Sequence, residues 1–565
     1  MYKRQLLLSP LACPPDRADA AGIRRAPAVA LLLERLRDHA PDLELDDDDL
    51  TVVSRIARRV DGLPLALEIV AGHAATRSLR DLVELSEAPL DVPAGGRDRG
   101  PRHQSLRDTI AWSATRSTPD AQCALRRLGV FVGPVDPAAA AAVTALDPRR
   151  ADAALRELVR EGLLQVDRRA NTGTRYRMLR TVRDLALDAL AESGEAADAR
   201  ARHRQWFAAA WRSRPRSDEL VRDVRDRHDD YLQALRSALE ARDGAALSDL
   251  TLTLSRYWLF SNWNRPAITW VTRVLDAGVL NPADEARIRL QRACLALNVD
   301  PELTRSDATA ALPVVAASGD LITLVTAHGT AALDANARGE LDRALHHAHL
   351  AVSVARQTTL ERTADALGML AVVQSACGDA AGVLATAHEA GELLDRSGSS
   401  VARIAVCTNL SLALADVGHP TEALRALELA AAGMPQALGG DAPAYFDLTR
   451  GWVLLRCGTP QAALHAFARV LDDVSVGAAD PTAVETYAGL AVSLAALGRP
   501  DGPALCAAAG QLADRVPTTL TPQQRTMVGD LAEAGAGTGE PTHALAARLD
   551  AALRIAMARH RDAAD

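Results

Sequence analysis

Lysine is almost missing from this chain. Lys3 is the single lysine in 565 residues, although Lys and Arg together number 64. Arginine has taken its place, as codon bias in a GC-rich genome would have it, and this is not read as an adaptation to phosphate. The absence excludes a phosphate-binding loop of the Gly-x-x-x-x-Gly-Lys-Ser/Thr kind, whose lysine reaches the β- and γ-phosphates. Lys3 follows Met1-Tyr2, with no glycine before it. Aromatic residues are scarce too, at 3% against 48% hydrophobic residues overall. Strands draw on aromatic and β-branched side chains, so an Ala/Leu/Arg/Glu-rich composition points to packed helices. The seven cysteines are scattered and none forms a Cys-x-x-Cys pair. Neither a zinc site nor a disulfide framework is suggested, and most read as small core residues. No apolar run reaches membrane-spanning length and no segment has a secretory layout, so no membrane partner is expected and a cytoplasmic location is. The net charge of −8 gives no global electrostatic case for nucleic acid. No Ser/His/Asp or Cys/His arrangement stands at a catalytic spacing, and these residues are not expected to form an enzyme.

What is present falls into segments. Residues 1–5, Met1-Tyr2-Lys3-Arg4-Gln5, read as translated adapter sequence from library preparation and are set aside, so the expectation is an N-terminally truncated chain. Residues 6–87 read as a short extended stretch and then helices. Residues 27–39 are amphipathic at the helical period, with Pro27 suited to the first turn. Asp46 to Asp49 precede a helix over 50–60, where free N–H groups favour negative charge. Gly62 and Pro64 break that helix, and the next runs over 65–75. Residues 88–104 carry Pro, Gly and charge without periodicity and read as a linker. Residues 105–190 read as helices at 105–115, 119–128, 137–145 and 150–160, with a short Val130-Phe131-Val132 run. Two β-like runs follow, 163–167 and 175–179, around Asn171-Thr172-Gly173, a hairpin signal. Helices followed by a hairpin are the layout of a winged helix.

The remainder, 191–565, reads as helical with an internal period. Gly339, Gly378, Gly418, Gly458 and Gly498 are spaced 39, 40, 40 and 40 residues apart. Each precedes a small–Leu pair: Ala344-Leu345, Val383-Leu384, Ala423-Leu424, Ala463-Leu464 and Ala504-Leu505. The glycine supplies a left-handed turn between antiparallel helices, and the small residue lets them approach. Asn262 and Asn298 continue the phase backwards less regularly. The fold class is therefore mainly α: a helical domain plus a winged helix, followed by an α-solenoid of TPR-like helical hairpins with units longer than the usual ~34 residues.

The segment Arg59-Val60-Asp61-Gly62-Leu63-Pro64-Leu65-Ala66-Leu67-Glu68 resembles the Gly-Leu-Pro-Leu motif of STAND nucleotide-switch ATPases. Ser105 to Ser113, Leu125 to Phe131, Tyr176 to Arg183 and Tyr257 to Trp270 are similar, in order, to later landmarks of the bacterial STAND (NB-ARC-like) regulators of the SARP and LuxR transcriptional type. The resemblance covers residues 6–300. It implies a remnant of the NTPase core and helical domain in 6–87, with Gly62, Leu63 and Pro64 as the remnant adenine-side contacts. It implies a phosphate-sensing residue at Met178-Leu179-Arg180, where this chain has neither the histidine nor the acidic residue. It implies ATP or ADP for the full-length parent, and none in this chain, since the phosphate loop is missing.

Three other constellations have blander readings. Gly535-Ala536-Gly537-Thr538-Gly539 follows no strand and reads as a loop. His346-His347-x-His349 reads as a solvated helix face rather than a metal site. Arg200, Arg202, His203, Arg204, Arg212, Arg214 and Arg216 read as the polar side of a helix that buries Trp206 and Phe207. Two functions remain open. One is a STAND-type signalling regulator in which the solenoid senses a protein partner or effector and the winged helix relays it, with DNA contacted by a missing output domain or, second in order, by the winged helix. The other is a nucleotide-independent protein-interaction scaffold.

Overall fold

Proline opens helix after helix, as its missing N–H has no helical partner at the first position in any case. Pro27, Pro64, Pro119, Pro137, Pro148, Pro282, Pro301, Pro420, Pro460, Pro481 and Pro522 each begin one in the computed structural model. The structure describes residues 10–15, 20–40, 46–74, 77–86, 106–167, 173–213, 218–259, 264–297, 299–438, 444–473, 481–516, 520–532 and 541–562. The adapter-like pentapeptide, the linker 88–104, Asn171-Thr172, Arg214, Arg216, Asn262, Asn298 and the Gly535–Gly539 loop lie outside the described residues. The chain divides into two compact units, residues 1–207 with 232–237, and residues 208–231 with 238–565.

The first unit begins with α1 (Ala20–Arg25), α2 (Pro27–His39), α3 (Asp47–Arg59), α4 (Pro64–Ala71) and α5 (Leu79–Leu85). Asp46 caps α3 by accepting the Asp49 N–H at 2.8 Å, and Asp49 returns the bond, so two orphan donors are satisfied reciprocally. Leu32, Leu36, Leu50, Ile56 and Leu67 are buried between these helices. There follow α6 (Leu106–Thr115), α7 (Pro119–Leu128), α8 (Pro137–Thr144), α9 (Pro148–Arg160), β1 (Gln165–Asp167), β2 (Arg175–Arg177), α10 (Arg180–Glu192) and α11 (Ala196–Ser213), whose end from Ala208 belongs to the second unit. The hairpin pairs antiparallel, Val166 opposite Tyr176, and Val135 adds a bridge to Tyr176 through two 2.8 Å bonds. Within the stretch that holds the Val130-Phe131-Val132 run and Val135, Val135 makes the bridge to the hairpin and Phe131 packs edge-on to His203 at 4.8 Å between ring centroids. On α11 Phe207 is buried as expected and His203 is buried too, with Ala199, Ala208 and Ala210, whereas Trp206 is only partly buried. Glu195 accepts from Arg126 (2.8 and 3.0 Å) and Arg127 (3.1 Å), which holds its carboxyl down at about 2 and ties α7 to the start of α11.

The second unit holds α12 (Asp218–Asp226), part of α13 (His228–Glu240) and the repeat array. The array runs as α14 (Gly244–Trp258), α15 (Asn264–Asp276), α16 (Pro282–Ala296), α17 (Pro301–Ser318), α18 (Leu321–Ala337), α19 (Leu341–Ala355), α20 (Leu360–Ala376), α21 (Ala380–Ser397), α22 (Ser400–Asp416), α23 (Pro420–Leu438), α24 (Ala444–Arg456), α25 (Pro460–Asp473), α26 (Pro481–Ala496), α27 (Gly502–Arg515), α28 (Pro522–Leu531) and α29 (Thr542–Asp562). From α16 to α27, sequential pairs pack as hairpins. The five in-phase glycines end α18, α20, α22, α24 and α26 with φ between +69° and +83°. At each, the next residue's N–H reaches back to a carbonyl five positions earlier, as His419 N–H does to Leu414 O at 2.9 Å, closing the helix end in the Schellman manner. A Cβ on these glycines would meet nothing within 4 Å, so backbone sign alone demands them. Ala344, Val383, Ala423 and Ala463 are fully buried and Leu384 is exposed, so the small member of each pair sets the helix spacing. The fifth pair departs: Ala504 is exposed and Leu505 with Cys506 takes the core position. Of the cysteines, Cys407 and Cys506 are buried and Cys377 is exposed. The chain is thus mainly α, with a helical domain, a winged helix and an α-solenoid of TPR-like hairpins.

Candidate functional site

The Asp61–Pro64 turn is built by two successive left-handed residues. Asp61 has φ +54° and Gly62 φ +64°, so the chain reverses within one peptide of the end of α3. Gly62 N–H donates to Ala57 O at 3.0 Å, and its carbonyl accepts from Leu11 N–H at 3.0 Å. The extended segment before α1 therefore lies directly on the turn. A Cβ on Gly62 would stand 2.2 Å from Leu11 O, closer than any side chain tolerates. Beside it the Cys13 thiol donates to Ala57 O at 3.4 Å, and burial, then the Asp61 charge, pushes that thiol up from its ordinary range. Leu63 takes an extended conformation as N-cap of α4, and Pro64 is the first helical residue. Gly62 is buried, Leu63 half-buried and Pro64 exposed.

Asp61 does more than shape the turn. α10 starts from Leu179, an N-cap with no polar atom to offer the free N–H groups of the first turn. The Asp61 carboxylate accepts the Thr181 N–H at 3.1 Å from 120 residues away and so supplies the missing cap. Burial raises the Asp61 carboxyl above its ordinary range, opposed by the backbone N–H groups of Thr181 and Arg180 and by the Arg177 and Arg180 charges. The Gly-Leu-Pro-Leu turn and the Met178-Leu179-Arg180 segment, singled out separately in sequence, are thus joined at one carboxylate. Sequence reading missed this because capping is sought within three residues of a helix start. Asp61→Gly tolerates the positive φ but removes the carboxylate that caps α10, and is expected to cost about 1 kcal/mol. The measurement is amide exchange at Thr181, which should quicken in the variant while α4 amides do not change.

The other candidates resolve into structural roles. Arg202 donates to Val143 O at 2.9 Å, Arg204 to the Ser237 hydroxyl at 3.0 Å, and Arg212 pairs with Asp249. His346 and His349 are exposed; His347 turns instead to His328 on α18, Nδ1 to Nδ1 at 3.1 Å, a neighbour that sequence spacing did not show. Among the described residues no group of three or more His, Cys, Asp or Glu gathers where a metal could be held, and no helix is long and apolar enough to cross a membrane. The winged helix presents α9, whose outer face exposes Arg149, Arg156 and Arg160. Arg156 is paired with Asp152 at 2.6 Å, and Arg150 with Asp120 at 2.5 Å.

Comparison with known proteins agrees with this geometry. A winged helix-turn-helix domain is matched over residues 119–191. Provisionally named HTH-type transcriptional regulators of Mycobacterium tuberculosis and Mycobacterium bovis are 33% identical over 259 residues, 44% of this chain and 29% of theirs. An uncharacterized protein of Mycobacterium tuberculosis is 33% identical over 184 residues, 32% of this chain and 46% of its own length. The chain thus spans well under two thirds of the curated relatives it matches. Among solved structures, a STAND protein with a tetratricopeptide repeat sensor from Pyrococcus horikoshii aligns at TM-score 0.37 and 12% identity, over 89% of this chain and 71% of that one. A Rap protein complexed with Competence and Sporulation Factor aligns at TM-score 0.40 and 12% identity, over 75% of this chain and 99% of that one. At these scores the two likenesses bear no functional weight. The chain carries a winged helix-turn-helix domain and is homologous, over less than half its length, to HTH-type transcriptional regulators.

Proposed function

We propose that this chain acts as a STAND-type, NB-ARC-like regulator of transcription of the SARP/LuxR kind. Its repeat array senses a protein partner or effector, and the helical turn and winged helix relay that event. The observation that supports this most is the Asp61 carboxylate capping α10, because it makes the Gly-Leu-Pro-Leu turn and the winged helix one mechanical element. A change of partner state that moves either side must break or keep that bond, which is what a two-state relay requires.

Gly62, Leu63 and Pro64 would be the adenine-side contacts, Pro64 with its ring exposed. With Lys3 as the single lysine, no Gly-Lys-Ser/Thr loop stands here to cradle phosphates, so ATP or ADP hydrolysis is not assigned to these residues. Isothermal titration of the chain with ATP and ADP should show no binding tighter than about 1 mM, or roughly −4 kcal/mol; micromolar affinity would mean that the turn binds nucleotide unaided. The regulator reading itself is tested by transcript profiling of the source organism with and without the gene. A defined set of transcripts should change, and an unchanged profile would favour a nucleotide-independent interaction scaffold.

One observation favours a second reading, direct DNA contact by the winged helix. Residues 119–191 carry twelve arginines and nine carboxylates, a positive balance in a chain of net charge −8. Anisotropy of labelled duplex DNA with the whole chain decides it: salt-dependent binding supports contact through α9, and its absence leaves the winged helix as a relay alone.

A further inference from the structure

The nine-residue helix α12 precedes the array in sequence and packs on both its first helix, α14, and the α22–α23 hairpin in its middle. Leu220, Val221 and Val224 are fully buried. Val221 belongs to the apolar cluster that includes Val325 of α18, Leu370 of α20, Leu410 of α22 and Met434 of α23. At its start Asp218 places its carboxylate on the N-terminus of α22, accepting from Ser400 N–H at 2.9 Å, Val401 N–H at 3.1 Å and the Ser399 hydroxyl at 3.2 Å. These partners lie 181 to 183 residues away. The local cap is incomplete: Ser399 accepts only the Ala402 N–H at 3.2 Å, and the Ser400 and Val401 N–H groups are left for a carboxylate such as that of Asp218.

On its other side α12 packs against α14. There the Arg256 side chain faces Asp218 and Asp365, and its Nε is buried with no hydrogen-bond partner. A buried guanidinium nitrogen without an acceptor is costly, and a carboxylate entering beside it would gain both charge and hydrogen bond. The groove between α14 and α22–α23 thus offers an apolar floor, two backbone donors at a helix N-terminus and one buried guanidinium nitrogen without a hydrogen bond. A nine-residue helix is below the length that holds its own shape in water, so α12 is helical because the groove makes it so.

We propose that α12 is the resident occupant of a docking groove on the repeat array, and that the groove's partner is an acidic amphipathic helix of a second protein, which displaces it. The chemistry recognised is a carboxylate followed by apolar residues two, three and six positions on, as in Asp218, Leu220, Val221 and Val224. The inference rests on the reading of the array as a sensing surface and names what that surface senses. Such a partner exchanges one helix for another, so α12 sets a threshold that the partner's affinity must exceed.

The test uses the whole chain carrying Val221→Asp and Val224→Asp, and a fluorescent peptide with the sequence of residues 218–231. The variant should bind the peptide with Kd on the order of 10 μM, and the wild type at least about tenfold more weakly. A peptide with Asp218→Ala should lose at least about tenfold against the variant. A variant of native helix content that binds no peptide overturns the proposal. Hydrogen exchange on the unaltered chain decides the same question without a variant: α12 amides exchanging about tenfold or more faster than those of α14 and α22 support a displaceable occupant, and equal protection overturns it. An array whose α12 never leaves could still sense a partner elsewhere, so this proposal and the regulator reading fail on different results.

Discussion

Gly62→Ala is expected to destabilise the first unit by roughly 3 kcal/mol, from two costs that add. A left-handed φ of +64° is strained for any residue with a Cβ, at ~1–2 kcal/mol. The new methyl would also meet Leu11 O at 2.2 Å, and that oxygen is backbone, held by the chain that runs on to Cys13. Something must move, and the Leu11 N–H to Gly62 O bond is the first to go. Denaturant unfolding followed by a probe in the first unit should show an early transition for the variant, with the array's transition unchanged. Gly339→Ala is the matched control. Its φ is +74° but its Cβ would meet nothing within 4 Å, so it should lose only the left-handed cost, ~1 kcal/mol. Equal losses at the two sites would mean that the close approach of Leu11 contributes nothing.

Glu485 gives the second large effect, and it depends on pH. Its carboxyl is partly buried in the array, accepting from Trp452 Nε1–H at 2.9 Å and Gln524 Nε2–H at 3.1 Å. Burial dominates and pushes it from 4.5 up to about 7, against those two bonds and the charge of Arg456. Arg456 itself is paired with Asp416 at 2.9 Å and does not neutralise the site. Below pH ~4.5 Glu485 is protonated whether folded or not, and stability carries no penalty. As pH rises towards about 7, the unfolded chain releases the proton that the folded chain keeps, so stability falls across that window. The total loss is at most roughly 3 kcal/mol, at ~1.4 per unit. Glu485→Gln keeps an acceptor oxygen for Trp452 and removes the titration. The variant should therefore match the wild type near pH 4.5 and exceed it by about 2 kcal/mol at pH 8. Thermal unfolding of the array at both pH values checks this; a variant less stable than wild type at pH 8 would show that Glu485 is charged and well paired.

The features legible in sequence share one property, that their cause is local. The five glycines announced their left-handed turns because each sits within one helix end. Asp46 with Asp49 and the run of prolines marked helix starts for the same reason. The Asn171–Gly173 signal placed the hairpin through turn chemistry alone. What escaped was non-local. Asp61 caps a helix 120 residues away, and nothing around Leu179 says that its cap is imported. Asp218 reaches Ser400 across 182 residues. His203 is buried against the rings of Phe131 and Phe207, and the contact with Phe131, from outside its helix, is one that a helical period cannot show. The Ala504 of the fifth pair stands six residues after its glycine where the others stand five, and there Leu505, not Ala504, takes the core position. The Gly-Leu-Pro-Leu turn was legible as a pattern, but the bond from Asp61 to Thr181 exists only in the folded chain.

The proposed regulator would use the turn, the winged helix and the array as one relay. Amide exchange at Thr181, read in the whole chain with and without Val221→Asp and Val224→Asp, tests it most directly. A relay predicts that freeing the array's groove changes Thr181 protection while the α3 and α4 amides keep theirs. An unchanged Thr181 in a variant whose groove binds the α12 peptide would contradict it, and would make the array a docking module that does not speak to the winged helix.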